Sequence, residues 1–492
     1  MNKINDTMTT DYYEFTMGQT YFDAGLQDQE VVFDVFFRKN PFEGGYTLMG
    51  GVDNIIDYVN NLKFSDEDIE YLKNLNNFSA EFLEYLRNFI FTGSIYAIPD
   101  GTPVFPNEPV ITVKANAIEA QLLETAILTH FNHGSLVTTK AKRITLASGN
   151  RPVMEFGARR ARGSASAYEA SKYAIVGGCV GTSNTKACEE LGIKPLGTMA
   201  HSLVTLYHDE REAFMTYAKS NPDNCIFLVD TYDTLRSGIP NAIWVADNYL
   251  KPLEIPFKGI RIDSGDLAYL SKEARKMLDE AGYPDTKICL SNGLDEYTIK
   301  SLIEQGAVID SLGVGDNIAA SLDRLGGVYK LVAVNENGLF TPRIKVGNDH
   351  AKTINPGYKR VYRFYDNNTG FAIGDVITLN NETIDSENYT LINPEEETQF
   401  KNISDYTCVE LQVPIFIHGK QVYHEPTIME RQAYCNEQVN KLYPEVKRLY
   451  NPHKYIVDLS ENLLKLKKEM IREHSYTTNS LEKGKQKKLV IN

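Results

Sequence analysis

Between residues 150 and 316, a series of short apolar runs end in residues that could do chemistry. In R-I-D-S-G-D (261–266), Arg261 stands beside Asp263 and Asp266. That pattern suits a ligand with an anionic group and ribose hydroxyls: the guanidinium holds the anion and the carboxylates accept from the hydroxyls. Asp230 and Asp233 add acids in D-T-Y-D, and acids facing a diphosphate act through a hard, oxygen-seeking cation such as Mg²⁺. His201 follows G-T-M-A and so points a nucleophilic imidazole toward the same place. The other histidines read as structural hydrogen-bonders, and His130 and His133 lack the partner motif of a metal site. Gly293 and its neighbour Asn292 in S-N-G, and Gly313, Gly315 and Asp316 in G-V-G-D, fit loops whose backbone N–H groups close on an anion. Neither loop is a Walker or dinucleotide fingerprint.

The elements that must position these residues are strands alternating with helices. The strand-like runs are 152–156, 173–176, 194–196, 225–229, 259–262, 287–290 and 311–314. Amphipathic helices lie between several of them, at 267–281 and at 295–305, the latter opened by the N-cap Asp295. Such units predict a parallel sheet with covered faces, open or closed into a barrel. In a barrel the strand C-termini converge on one mouth, so chemistry-bearing strand ends predict an enzyme. Turn formation by Gly, Asn and Asp explains one or two such ends more easily than the whole series.

The rest of the chain frames this core. Residues 1–130 read as an N-terminal α/β domain, with a buried strand at 31–37, helical spacing over 66–91 and a proline-rich stretch at 99–109. Residues 131–330 read as the barrel, and 331–492 as a C-terminal region, parts of 330–440 joining the N-terminal domain in space. Strand and hairpin text is expected at 326–340 and a helix from Pro452 through Ile471. The lysine-rich run 481–488 reads as a solvated tail. With 492 residues and 42% apolar content the chain can bury a large core without disulfides. A net charge of −14 argues against sequence-independent nucleic-acid binding. Six cysteines without a C-x-x-C pair read as reduced thiols of the cytoplasm. No secretory signal or membrane span is expected.

The motifs T-D-Y-Y-E-F-T-M (10–17), F-R-K-N-P-F-E-G-G-Y (37–46), E-F-G-A-R-R (155–160), G-T-S-N-T (181–185), G-T-M-A-H-S (197–202), R-I-D-S-G-D-L (261–267), G-V-Y-K-L-V (327–332) and N-P-H-K-Y (451–455) occur in order. The series resembles the nicotinate phosphoribosyltransferases. The resemblance implies an irregular α/β barrel of the type II phosphoribosyltransferase kind, with an N-terminal α/β domain and a C-terminal extension. It implies a homodimer with shared active sites, and ATP-coupled transfer of the phosphoribosyl group from phosphoribosyl pyrophosphate to nicotinate. By motif match, Phe156 stacks on the pyridine ring and Tyr13 of the partner subunit covers the other face. Thr198 and Arg261 lie near the nicotinate carboxylate, Arg159 near base or diphosphate, and Thr182 and Ser183 close by. Asp263 contacts ribose. Asn292, Gly293, Gly313, Gly315 and the backbone of Asp316 hold the 5′-phosphate. His201 matches the residue phosphorylated by ATP, and Asp230 a Mg²⁺-binding acid for that step. Asp316 stands where many relatives carry a hydroxyl residue, which puts its side-chain role in question.

Three other readings compete. A nicotinamide phosphoribosyltransferase is expected to carry Asp near Ser183 to hold the amide; Ser183 cannot repel a carboxylate as Asp would, which favours nicotinate. A non-catalytic pyridine-nucleotide sensor predicts a damaged constellation, whereas His201, Arg261, Asp263 and Asp230 are all present. Quinolinate use needs a second anion site that the sequence does not locate.

Overall fold

The computed structural model describes residues 6–347, 352–385, 387–394, 398 and 400–474; the lysine-rich run 481–488 lies outside them. Its core is a six-stranded parallel sheet drawn from one continuous stretch. Along the sheet the strands are Gly181–Thr182, Val153–Glu155, Ser311–Val314, Lys287–Ser291, Gly259–Ile262 and Ile226–Leu228. Helices Leu267–Glu280 and Glu296–Glu304 follow their strands as expected, and Asp295 caps the second by accepting from the Thr298 N–H at 2.7 Å.

Two of the expected strands are not strands. Residues 173–176 form the last turn of the helix Ser164–Val176, buried on all sides; a four-residue apolar run reads the same in a buried helix and a buried strand. Residues 194–196 are irregular. The Leu196 N–H still donates to Thr182 O at 2.9 Å, and Asn224 Nδ2 donates to Gly197 O at 3.0 Å. This segment therefore runs from the edge strand Gly181–Thr182 to the turn Pro222–Asn224 that precedes the other edge strand, without joining the sheet.

A seven-stranded sheet accompanies the barrel. Its order is Leu339–Pro342, Val328–Glu336, Glu30–Phe36, Ile111–Asn116, Ser94–Ala97, Val413–Ile417 and Lys420–Gln421. Residues 328–342 and 413–421 thus lie in one sheet with 30–116. The Asn337-Gly338 turn, both residues at positive φ, makes the 328–342 hairpin. The stretch 66–91 forms two helices, Asp66–Asn74 and Ala80–Arg87, each with a serine N-cap. The division drawn at 130 falls inside the helix Glu124–Ala147, which packs on helix Val52–Asn61 and on helices Ser164–Val176 and Glu296–Glu304. The C-terminal helix spans Glu461–His474 rather than starting at Pro452, because Val457–Leu459 joins a smaller sheet beside Ala372–Leu379. All six cysteines are free, and no described helix is long and apolar enough to cross a membrane.

A buried ionic knot ties these parts together. Asp53 Oδ2 pairs with Lys172 Nζ at 2.8 Å and with Arg431 Nη1 at 2.6 Å, and Tyr173 OH donates to Asp53 Oδ1 at 2.6 Å. Asp100 sits 3.6 Å from the same guanidinium and accepts from the Val52 N–H.

Candidate active site

Strand register decides which residues face the barrel interior. Arg261 lies level with Leu228 and Cys289, Ser291 with Gly313, and Gly313 with Met154. Side chains alternate along a strand, so Arg261, Ser291 and Gly313 share one face, and Phe156, two residues beyond Met154, continues it. Asp263 and Asp230 continue the same face two residues past Arg261 and Leu228. The opposite face carries Ile260, Ile262, Ile288 and Leu290, all fully buried.

At the strand ends this face becomes a polar lattice. Arg261 is 12% exposed in its side chain. Its Nε donates to Ser291 Oγ at 2.9 Å, Nη1 to Thr198 Oγ1 at 3.3 Å, and Nη2 pairs with Asp263 Oδ1 at 3.2 Å. Ser291 Oγ in turn donates to Asp263 Oδ1 at 2.5 Å. The guanidinium carbon lies 5.6 Å from the centre of the Phe156 ring, within cation–π range. A flat aromatic wall, a cationic fork and a hydroxyl therefore converge, a set that can hold a planar ring bearing a carboxylate.

His201 opens the helix His201–Leu206 and is 41% exposed. Its Nδ1 lies 3.1 Å from Thr231 Oγ1, and its Nε2 lies 4.0 Å from Asp230 Oδ1 and 3.9 Å from Asp263 Oδ2. The imidazole thus faces two carboxylates and is reachable from solvent. Asp230 has a side chain only 1% exposed; Oδ2 accepts from Ser264 Oγ at 2.5 Å, while Oδ1 is buried without a hydrogen-bond partner. An orphaned carboxylate oxygen beside the mouth suits a hard cation. Among the described residues no group of three or more His, Cys, Asp or Glu forms a ready-made cage for a metal.

The other expected residues divide into two groups. Asn292 (φ 94°) and Gly293 (φ 59°) form an exposed left-handed turn after Ser291. Asn317 Nδ2 donates to the Gly293 and Leu294 carbonyls, at 3.1 and 3.0 Å, and so ties that turn to the loop carrying Gly315 and Asp316. The Asp316 side chain is exposed. Arg159, on the turn Ala158–Arg160, is exposed and makes no hydrogen bond or ion pair among the described residues.

Thr182 does not face the interior. It is level with Glu155, on the opposite face from Phe156, and is fully buried with Oγ1 donating to Glu155 Oε2 at 2.5 Å. Ser183, the next residue, is half-buried at the strand end. Tyr13 stands on the helix Tyr12–Asp23, its hydroxyl beside Glu124 of a helix outside the catalytic sheet. Burial, then the Glu124 and Glu14 carboxylates, push its ionisation far above the usual range. Ser291, Thr231 and Ser264 carry no role in the sequence reading, although they lie inside S-N-G, D-T-Y-D and R-I-D-S-G-D; Ser291 and Ser264 each donate to a carboxylate, and Thr231 holds the His201 imidazole.

Models of three nicotinate phosphoribosyltransferase segments match the chain: the N-terminal domain over residues 8–132, the family's central part over 152–356 and the C-terminal domain over 358–467. A nicotinate phosphoribosyltransferase of Bacillus subtilis is 43% identical over 470 residues, covering 95% of each chain. One of Caenorhabditis elegans is 34% identical over 522 residues, covering 93% of this chain and 92% of its own. The crystal structure of human nicotinic acid phosphoribosyltransferase superposes with a TM-score of 0.83 at 28% identity, covering 94% of this chain and 99% of that one.

Proposed function

The chain belongs to the nicotinate phosphoribosyltransferase family, and from that premise we propose that it transfers the phosphoribosyl group of phosphoribosyl pyrophosphate to nicotinate. The products are nicotinate mononucleotide, a precursor of NAD, and pyrophosphate. The observation that carries the reading is the meeting of Phe156, Arg261, Thr198, Asp263, Asp230 and His201 at one rim of the parallel sheet.

Displacement at the ribose anomeric carbon builds positive charge on the sugar. The site must therefore fix the ring nitrogen in line, hold the leaving diphosphate and stabilise the sugar cation. Phe156 stacks on the pyridine ring. Arg261 and Thr198 address its carboxylate, with Ser183 nearby and Tyr13 supplied by the second subunit of a homodimer. Asp263, steadied by Ser291, faces the ribose and its developing charge. The turn at Asn292 and Gly293 and the backbone of Gly313, Gly315 and Asp316 cradle the 5′-phosphate. The exposed Asp316 carboxylate can turn away from that phosphate. The unpaired Arg159 is free to meet the diphosphate.

Asp230 fits as the protein's ligand to Mg²⁺, its unpartnered Oδ1 being the donor. Mg²⁺ neutralises phosphate charge when bound. His201 is the acceptor in ATP coupling: the imidazole attacks the γ-phosphorus, the bond to the ADP oxygen breaks, and ADP leaves with the electron pair. A reaction of this kind belongs in the cytoplasm, where its nucleotide co-substrates are held.

The test is incubation with γ-labelled ATP. Wild type takes up an acid-labile label and His201→Ala takes up none; a label that survives the substitution overturns the role of His201. Running nicotinate against nicotinamide in one assay checks the base, with nicotinate as the one consumed.

A further inference from the structure

We propose that Phe42 is a positioning residue for the Asn292–Gly293 turn: its ring caps a buried cluster of Lys140, Glu296 and Arg143 that holds the helix start directly behind that turn. The consequence for phosphoribosyl pyrophosphate rests on the reading of the turn given above; the positioning itself stands on the contacts alone.

Glu296 opens the helix Glu296–Glu304 and is fully buried. Its Oε2 pairs with Lys140 Nζ at 2.6 Å and its Oε1 with Arg143 Nε at 2.8 Å, both cations lying on the helix Glu124–Ala147. Arg143 Nη2 also donates to the Tyr297 hydroxyl at 3.0 Å, so the first two residues of the helix are held together. One carboxylate thus stands against two cations, whose side chains are 9% and 4% exposed. No second carboxylate pairs with either cation among the described residues, and a buried charge without a partner is costly. The Phe42 ring meets that surplus. Its centre lies 4.9 Å from Lys140 Nζ and 5.7 Å from Arg143 Cζ, within the range in which the negative ring face attracts a cation.

The loop carrying Phe42 is held against its own preference. Phe42 (φ 59°) and Glu43 (φ 48°) are both left-handed, a conformation that a β-carbon disfavours. The Phe42 N–H donates to a carboxylate oxygen of Asp323, on the segment that leads away from Gly315 and Asp316. A side-chain carbon at Gly44 would lie 3.1 Å from Arg143 Nη1. One at Gly45 would collide with the Val446 carbonyl and stand 3.0 Å from Pro452 Cβ, so the motif at 37–46 packs directly on the motif at 451–455. Asn317 Nδ2 meanwhile ties the Gly293 and Leu294 carbonyls. The turn is therefore fixed by Asn317 at Gly293 and by the Phe42-capped cluster at Glu296.

The experiment compares Phe42→Leu, which keeps apolar bulk without a π face, with Phe42→Tyr, which keeps the ring. Amide hydrogen exchange of the peptide 292–299, read without substrate, is expected to be about fivefold faster in Phe42→Leu than in wild type and within about twofold of wild type in Phe42→Tyr. Phe42→Leu is expected to raise the KM for phosphoribosyl pyrophosphate about fivefold while the nicotinate KM moves less than about twofold, and Phe42→Tyr to restore the wild-type values. Unchanged exchange in Phe42→Leu overturns the positioning role. A Phe42→Tyr protein as damaged as Phe42→Leu overturns the part played by the ring face, and equal rises in both KM values overturn the link to the turn. If Phe42→Leu does not fold, Lys140→Met takes its place, because it removes one hold on Glu296 and the charge that the ring caps. The same faster exchange and the same KM split are then expected, and unchanged exchange counts against the proposal. Wild-type enzyme whose 292–299 peptide gains no protection from phosphoribosyl pyrophosphate would end the reading of the turn as a phosphate cradle, whereas exchange without substrate would still decide what Phe42 does.

Discussion

A side-chain carbon at Gly313 would stand 2.7 Å from the Phe156 ring, so the aromatic wall rests directly on glycine backbone. Gly313→Ala should push the ring off its seat. The nicotinate KM is expected to rise about tenfold, with a stability loss of about 1–3 kcal/mol from overpacking; steady-state kinetics and thermal unfolding read both. An unchanged KM would mean that the ring yields at no cost to binding. Arg261, Asp263 and Asp230 stand out in the sequence because charged groups at the ends of apolar runs need a reason to be there, and His201 because it follows G-T-M-A. Thr182 and Ser183 were not separable from sequence. They are neighbours of similar chemistry, and only the pairing of Thr182 with Glu155 shows which one is turned inward. The same holds for Ser291, whose hydroxyl matters because register sets it between Arg261 and Asp263.

The helix Glu296–Glu304 follows directly on the Asn292–Gly293 turn, and its N-cap is therefore also the far anchor of that turn. Asp295→Ala removes the acceptor for the Thr298 N–H and should cost about 1 kcal/mol, measured by urea unfolding. It should also weaken phosphoribosyl pyrophosphate binding more than nicotinate binding; equal loss of both would place the effect outside the turn. The helix opened by the N-cap Asp295 was legible from that terminal signal. Elements without one were not. Residues 173–176 carry no helix or strand period, residues 194–196 pair by a single backbone bond to Thr182, and the strand Val457–Leu459 is too short to interrupt a helical pattern. Such segments take their form from what surrounds them.

Across the whole molecule, the knot of Asp53, Asp100, Lys172 and Arg431 joins the helix Val52–Asn61, the turn at Asp100, the barrel helix Ser164–Val176 and the helix Ile428–Asn440. Burial, and then the Asp53 carboxylate, push Asp100 up to about 7, with Arg431 opposing. An acid raised in the folded state contributes stability that is complete below its unfolded value near 4 and is lost as pH climbs to about 7, at no more than about 1.4 kcal/mol per pH unit. Asp100→Asn cannot ionise, so its unfolding temperature relative to wild type should improve between pH 4.5 and pH 7.5; a pH-independent difference would show that Asp100 is already charged. The long-range joins behind such a knot leave no trace in local pattern. The seven-stranded sheet has a consequence of its own during synthesis. The stretch 153–314 can complete its parallel sheet as soon as it has left the ribosome, but the strands Glu30–Phe36 and Ser94–Ala97 must each wait with a bare edge, one for Val328–Glu336 and the other for Val413–Ile417. A nascent chain halted between those two segments would hold a parallel sheet still lacking the packing helix Ile428–Asn440, beside a half-built sheet with adhesive backbone exposed, so early termination in that interval threatens solubility.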